Sequence, residues 1–198
     1  MLHNTPFFDL KLERGAILCT PQADACIVSV RYQTREGHTM IIRRATEQDI
    51  PGLSDLLLQV LNVHAEGRPD LFKANTRKYT DDEIKGIIAD DERPIFVAVE
   101  EDAEPGQILG YAFCVYQQYV NSNNMTDVRT LYIDDLCVDA WHRGERVGEG
   151  LYHYVLDFAR KQGFYRVTLN VWSCNPKAMG FYEHMGLKPY HIGMEQIL

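Results

Sequence analysis

The chain has 198 residues, 45% of them apolar and 24% charged, with a formal net charge of -8. That length suits one domain with a substantial core, and the composition is that of a soluble globular protein. The acidic balance argues against a duplex DNA or RNA binder, whose footprint is a basic face, and favours cationic small substrates.

Residues 1–39 hold four acidic residues (Asp9, Glu13, Asp24, Glu36), four basic ones (Lys11, Arg14, Arg31, Arg35) and one strand-like stretch, ACIVSVRYQT. At Met40 the character changes to MIIRRATEQDIPGLSDLLLQVL, which reads as a strand, a cap and a helix. The functional domain is therefore expected at 40–198, with 1–39 an N-terminal extension, either an appended arm or translation from an upstream start. Thr46 and Asp49 form a capping box ahead of an apolar stripe of Leu53, Leu56, Leu57, Val60 and Leu61, predicting a helix from about Glu47 to Val63. Thr80 and Glu83 repeat the box before a shorter helix with Ile84, Ile87 and Ile88 inward. Between the two lies the polar, Gly/Pro-marked loop HAEGRPDLFKANTRKY.

PIFVAVE and ILGYAFCVYQQY predict a hairpin around an acidic Pro-Gly turn, and VRTLYIDDLCVD a further strand. Next comes WHRGERVGEGLYHYVLDFARKQG, a glycine-rich turn feeding a helix with Val147, Leu151, Val155 and Phe158 on one face and an end at Gly163. YRVTLNVW reads as a buried strand. Asn175 and Pro176 read as a cap and first helical residue of a helix carrying Phe181 and Tyr182. A last strand near His191 to Ile197 is expected to close the sheet.

No apolar run reaches the about 18 residues that cross a bilayer. The N-terminus lacks the basic start and apolar core of a secretory signal, so a cytoplasmic location without a membrane partner is expected. Cys19, Cys26, Cys114, Cys137 and Cys174 are scattered with no C-x-x-C pair, which fits reduced thiols rather than a disulfide framework or a zinc site.

Strand, glycine-rich turn, helix, strand is a right-handed crossover unit whose ligand lies at the carboxyl end of its first strand. A helix N-terminus leaves about four N–H groups unpartnered and carries roughly half a positive charge, so such a turn suits an anion. Gly144, Gly148 and Gly150 equally suit tight helix packing. The spacing matches neither the P-loop nor the dinucleotide fingerprint.

Taken together, LYIDDLCVDAWHRGERVGEGL and LNVWSCNPKAMGFYEHMGLKP resemble the GCN5-related N-acetyltransferase (GNAT) superfamily, and the likeness extends over Met40 to Leu198. Within it, the acidic pair of the strand is similar to that of polyamine-type acetyltransferases. The resemblance implies an α/β fold, a central mixed sheet with helices on both faces and a splay between two parallel strands. It also implies acetyl-CoA as acyl donor, no metal, and a primary amine of a small molecule or of a peptide or protein as acceptor. A homodimer is compatible with it. The rival reading is an acyl-CoA-binding regulatory module without catalysis.

The family pattern at the turn is Arg/Gln-x-x-Gly-x-Gly/Ala. Arg143 and Gly148 fit its ends, while Arg146 replaces the first glycine of the pair. The resemblance implies that backbone N–H groups across Gly144, Glu145, Arg146, Val147, Gly148 and Glu149 bind the coenzyme pyrophosphate, with Arg143 and Arg146 adding charge. Because arginine tolerates positive φ poorly, Arg146 is expected in an ordinary helical conformation. Leu136, Cys137 and Val138 are implied to pair with the pantetheine arm, a backbone N–H near Leu136 facing the acetyl carbonyl. Asn175, Ala178 and Tyr182 complete the cofactor side.

Acyl transfer to an amine needs a neutral nucleophile, a stabilised carbonyl oxygen and a protonated leaving thiolate. An amine of pKa near 10 is unprotonated in about one molecule in a thousand at neutral pH. By family position Asp134 is the base, directly or through a water, with Asp135 as the alternate. Adjacent strand residues are expected on opposite faces, so that only one sees the cleft. Tyr182 is the family's general acid toward the thiolate. His64, Glu66 and Asp70, placed in the inter-helix loop, are candidates for the amine pocket, in a region from Thr46 to Glu92 with eleven acidic and five basic residues.

Overall fold

Alternation along the strands sorts the apolar residues onto the two faces of one sheet. The computed structural model describes residues 29–34 and 37–198. Strands β1 (Val30–Gln33), β2 (Thr39–Arg44), β3 (Ile95–Glu100), β4 (Gly110–Gln117) and β5 (Thr130–Val138) each pair antiparallel with the next. The sixth strand, β6 (Arg166–Leu169), lies parallel to β5. Helices α1 (Ile50–Gly67) and α2 (Asp81–Ile88) cover one face, while α3 (Val147–Lys161) and α4 (Pro176–His184) lie on the other. In β3, Phe96 and Ala98 enter the core beneath α3, and Ile95, Val97 and Val99 enter the core beneath α1 and α2. A strand covered on both sides reads as a continuous apolar run, as PIFVAVE does.

Both capping boxes form. Thr46 N–H donates to Asp49 Oδ2 at 2.8 Å, and Thr80 N–H donates to Glu83 Oε2 at 2.7 Å. The first helix differs from expectation at each end. Glu47–Asp49 is a 3-10 turn, and the α-helix runs on to Gly67. Nothing in His64 to Glu66 breaks a helix; Arg68 does, because Pro69 disfavours the α conformation in the residue before it. Ser54 Oγ donates to Asp81 Oδ1 at 2.7 Å, hooking α2 to α1.

Ahead of Met40, β1 pairs with β2 from Val30↔Ile42 to Gln33↔Thr39, and Val30 and Tyr32 pack on the core beneath α3. Residues 1–28, with Cys19 and Cys26, lie outside the described residues.

The chain end corrects two expectations. YRVTLNVW supplies only four strand residues, and Trp172 is exposed. His191 to Ile197 forms no strand, since β6 stops at Leu169 and offers no longer edge to pair with. Ile192, Met194 and Ile197 are exposed, and the tail is instead fastened by Tyr190, whose ring lies 5.4 Å from the Arg166 guanidinium, and by Glu195 on Arg68.

Asp49, 1% exposed, is the buried charge that joins β2 to α1. Arg43 grips it through two hydrogen bonds, of 2.7 and 2.9 Å. Burial by itself pushes the carboxyl up, but Arg43 and the Thr46 N–H outweigh it and hold the Asp49 carboxyl below its usual range. A carboxylate with a depressed folded pKa stabilises the fold above its unfolded pKa and loses that contribution as pH falls through the folded value. Removing one partner of a buried pair costs about 3 kcal/mol. Asp49→Ala should lose about that much in urea unfolding at neutral pH, with a shallower stability decline than the parent below about pH 4.

Candidate active site

The cleft originates where β5 outruns β6. The two strands pair from Thr130↔Arg166 to Ile133↔Leu169, after which β5 continues alone on that edge to Val138. Backbone groups of Asp134 to Val138 on that edge have no strand beside them. The expected splay between two parallel strands is therefore present.

Beyond Val138 the chain is held by Asp139. Its carboxylate accepts from Trp141 N–H at 3.0 Å and from Gln59 Nε2 at 2.9 Å, and lies 2.9 Å from His142 Nδ1. Burial raises the Asp139 carboxyl, but these partners more than offset it and hold it low. Arg143 Nε reaches back to the Val138 carbonyl at 3.3 Å. Two left-handed residues then turn the chain into α3: Gly144 at φ 88° and Arg146 at φ 67°.

The glycines thus divide their duties. Gly144 supplies a conformation, with open space where a Cβ would sit. Gly150 supplies closeness, since a Cβ there would lie 2.6 Å from Met40 Cε in β2. The expectation that Arg146 is helical is corrected. Gly150, Val147 and Leu151 fix α3 against the sheet, and the entering chain must bend through a left-handed residue at position 146 to meet it. No side chain caps this helix start, so its first amides project from an exposed turn. Arg146→Gly should raise stability by about 1 kcal/mol in urea unfolding, whereas Arg146→Ala, equally strained, should not.

The acidic pair holds the second correction. Pairing with β4 steps from Phe113↔Asp135 to Cys114↔Ile133, leaving Asp134 as the extra residue of a β-bulge. In an unbroken strand the two side chains diverge; the bulge resets the alternation. Ile133 faces the α3 core while Cys137, an even number of residues later, faces the α1 core. Both acids consequently meet groups of the α1 side. Asp134 accepts from Tyr79 Oη at 2.7 Å and pairs with Lys78 Nζ at 2.8 Å. Tyr79 stacks on Phe113, with centroids 5.5 Å apart. Asp135 accepts from the fully buried Tyr111 hydroxyl at 3.2 Å. Burial, reinforced by the Asp134 charge and moderated by Lys78, pushes the Asp135 carboxyl up to about 6.

Across the opening, Asn175 caps α4, its Oδ1 accepting from Ala178 N–H at 3.1 Å. This places Tyr182 against Phe181 and Tyr152, at centroid distances of 5.1 and 6.4 Å. Burial, then the negative charge of Asp135, holds the Tyr182 proton on well beyond its ordinary pKa. The phenol is a proton donor at neutral pH. Phe181 packs on the α3 core. Cys137 is an inert thiol, pushed up to about 12 by burial.

Of the three loop candidates, His64 and Glu66 are helical, on α1. His64 faces Phe72 at 5.2 Å, and Phe72 meets Trp172 edge-on at 5.0 Å, which links α1 to the segment after β6. Burial, then the Lys78 charge, pushes the His64 ring below its ordinary pKa. Asp70 is tied to Arg68 instead, by hydrogen bonds of 2.9 and 2.8 Å. Five of the eleven acids of Thr46 to Glu92 are ion-paired, Asp70 with Arg68, Asp49 with Arg43, Asp81 with Arg77, Glu47 with Lys85 and Asp91 with Arg44. Sequence reasoning missed Lys78, Tyr79 and Tyr111, the partners of the acidic pair. Only the Thr80 capping box, which pins the residues just before α2, hinted at the first two.

A family model described as the acetyltransferase (GNAT) family matches residues 59–187. A glucosamine 6-phosphate N-acetyltransferase from Oryza sativa is 30% identical over 99 residues, covering 50% of this chain and 56% of that protein. A streptothricin acetyltransferase from Streptomyces lavendulae is 33% identical over 91 residues, covering 46% and 42%. The chain thus spans about half the length of these curated relatives. The crystal structure of a tetramutant protein from Bacillus halodurans superposes with a TM-score of 0.74 at 27% identity, covering 79% of this chain and 99% of that one.

Proposed function

Because the chain belongs to the acetyltransferase (GNAT) family, we propose that it transfers the acetyl group of acetyl-CoA to a primary amine of a small cationic molecule, by direct attack within a ternary complex. The observation that carries this reading is the bulge that turns Asp134 and Asp135 to one side of the splayed strand, with Tyr182 beyond the opening.

The uncapped amides from Gly144 to Glu149 would take the pyrophosphate, helped by Arg143 and Arg146. The backbone of Leu136 to Val138, on the edge that β6 leaves without a strand, would hydrogen-bond the pantetheine arm as an added strand once Arg143 releases the Val138 carbonyl, and the Leu136 N–H would stabilise the oxyanion. Bound there, acetyl-CoA supplies a thioester carbonyl to an incoming amine. Asp134 would anchor the substrate ammonium. Asp135 would take its proton, because its raised pKa brings it closer to the amine while leaving it ionised at neutral pH. The neutral amine forms the C–N bond, the C–S bond breaks with its electron pair going to sulfur, Tyr182 protonates the departing thiolate, and the nitrogen sheds its second proton to solvent, which reprotonates Tyr182. A cationic acceptor fits the two carboxylates.

Incubation with acetyl-CoA and a panel of primary amines, following free thiol, tests the activity; a coenzyme-binding module without catalysis would bind acetyl-CoA in calorimetry and release none. Turnover should fall as pH drops through about 6, where Asp135 protonates, and Asp135→Asn should remove that inflection and lower turnover about 100-fold. Tyr182→Phe should lower kcat by about 10-fold or more while the calorimetric affinity for coenzyme A stays within about twofold of the parent.

A further inference from the structure

The proposed acceptor site already contains a primary amine. Lys78 Nζ lies 2.8 Å from Asp134 Oδ2, the position assigned above to a substrate ammonium. Its charge acts on Asp135 as well as on His64, so the ammonium sits among β5, α1 and the segment before α2. Its backbone is held on the C-terminal side. Tyr79 donates to the same Asp134 oxygen and stacks on Phe113, and Thr80 is locked as the α2 cap. Lys85, by contrast, pairs with the exposed Glu47.

From this placement we propose that Lys78 is a modification site, acetylated in cis on Nζ by acetyl-CoA bound to the same chain. The inference rests on the acetyltransferase reading of the cleft. In the step, the Lys78 ammonium gives one proton to the carboxylate pair, and its nitrogen lone pair attacks the thioester carbonyl carbon. The C–N bond forms, and the C–S bond breaks with its electron pair going to sulfur. The thiolate takes a proton from Tyr182, and the attacking nitrogen loses its second proton to solvent, which returns one to the Tyr182 phenolate. The products are an Nζ-acetyl amide at Lys78 and free coenzyme A. The side chain becomes neutral, so Asp134 loses its resident cation.

The full chain, incubated with acetyl-CoA and no added amine, is sampled over time and its peptides are weighed. Lys78 should gain one acetyl group about tenfold or more faster than Lys161 and Lys188, because the reacting groups are held together. The rate constant should not change with protein concentration, and Asp134→Asn should slow it. Acetylation of Lys78 no faster than of those lysines, or at a rate proportional to protein concentration, overturns the proposal. Turnover of added amines with Lys78 left unmodified overturns self-acetylation alone; absence of any coenzyme binding in calorimetry overturns the acetyltransferase reading with it.

Discussion

The molecule depends on one mismatch of length. β6 accompanies β5 only as far as Ile133, and the remaining residues of β5 keep a free edge inside an otherwise paired sheet. An unpaired backbone edge is a liability unless something covers it or uses it. Here it runs toward the start of α3, where a Cβ at Gly148 would meet Val138 at 3.4 Å and Phe181 of α4 at 3.5 Å.

The surrounding packing keeps that opening in place. Gly150 lets α3 press onto β2, which fixes where the helix must start and forces Arg146 into a left-handed conformation. Asp139 ties the same turn to Gln59 of α1. Strain at position 146 is therefore a consequence of core packing on both sides of the sheet, and it leaves an arginine at the mouth of the helix N-terminus.

The bulge at Asp134 does comparable work on the other side. It places two carboxylates where they meet Tyr79, Lys78 and Tyr111, in different environments. Asp134, held by a cation and a phenol, suits a docking anion. Asp135, half-buried beside the Tyr111 hydroxyl, has its pKa raised to about 6. Two adjacent residues of like chemistry thus come to differ through burial and partners alone.

Much of this was legible in the residues themselves. Capping boxes at Thr46 and Thr80, the doubly covered run of β3, the Asn175 cap and the glycine-rich entry to α3 are local signals, and local backbone chemistry decides them. The acidic pair and Tyr182 were visible as chemistry. Their relation was not, because alternation sends neighbouring strand residues apart unless a bulge intervenes, and a bulge is a property of pairing with β4. For the same reason the left-handed Arg146, the missing final strand and the lodging of Lys78 on Asp134 were beyond local reading. Each is settled by which neighbour occupies the adjacent edge or face, a fact that arises only when distant segments pack.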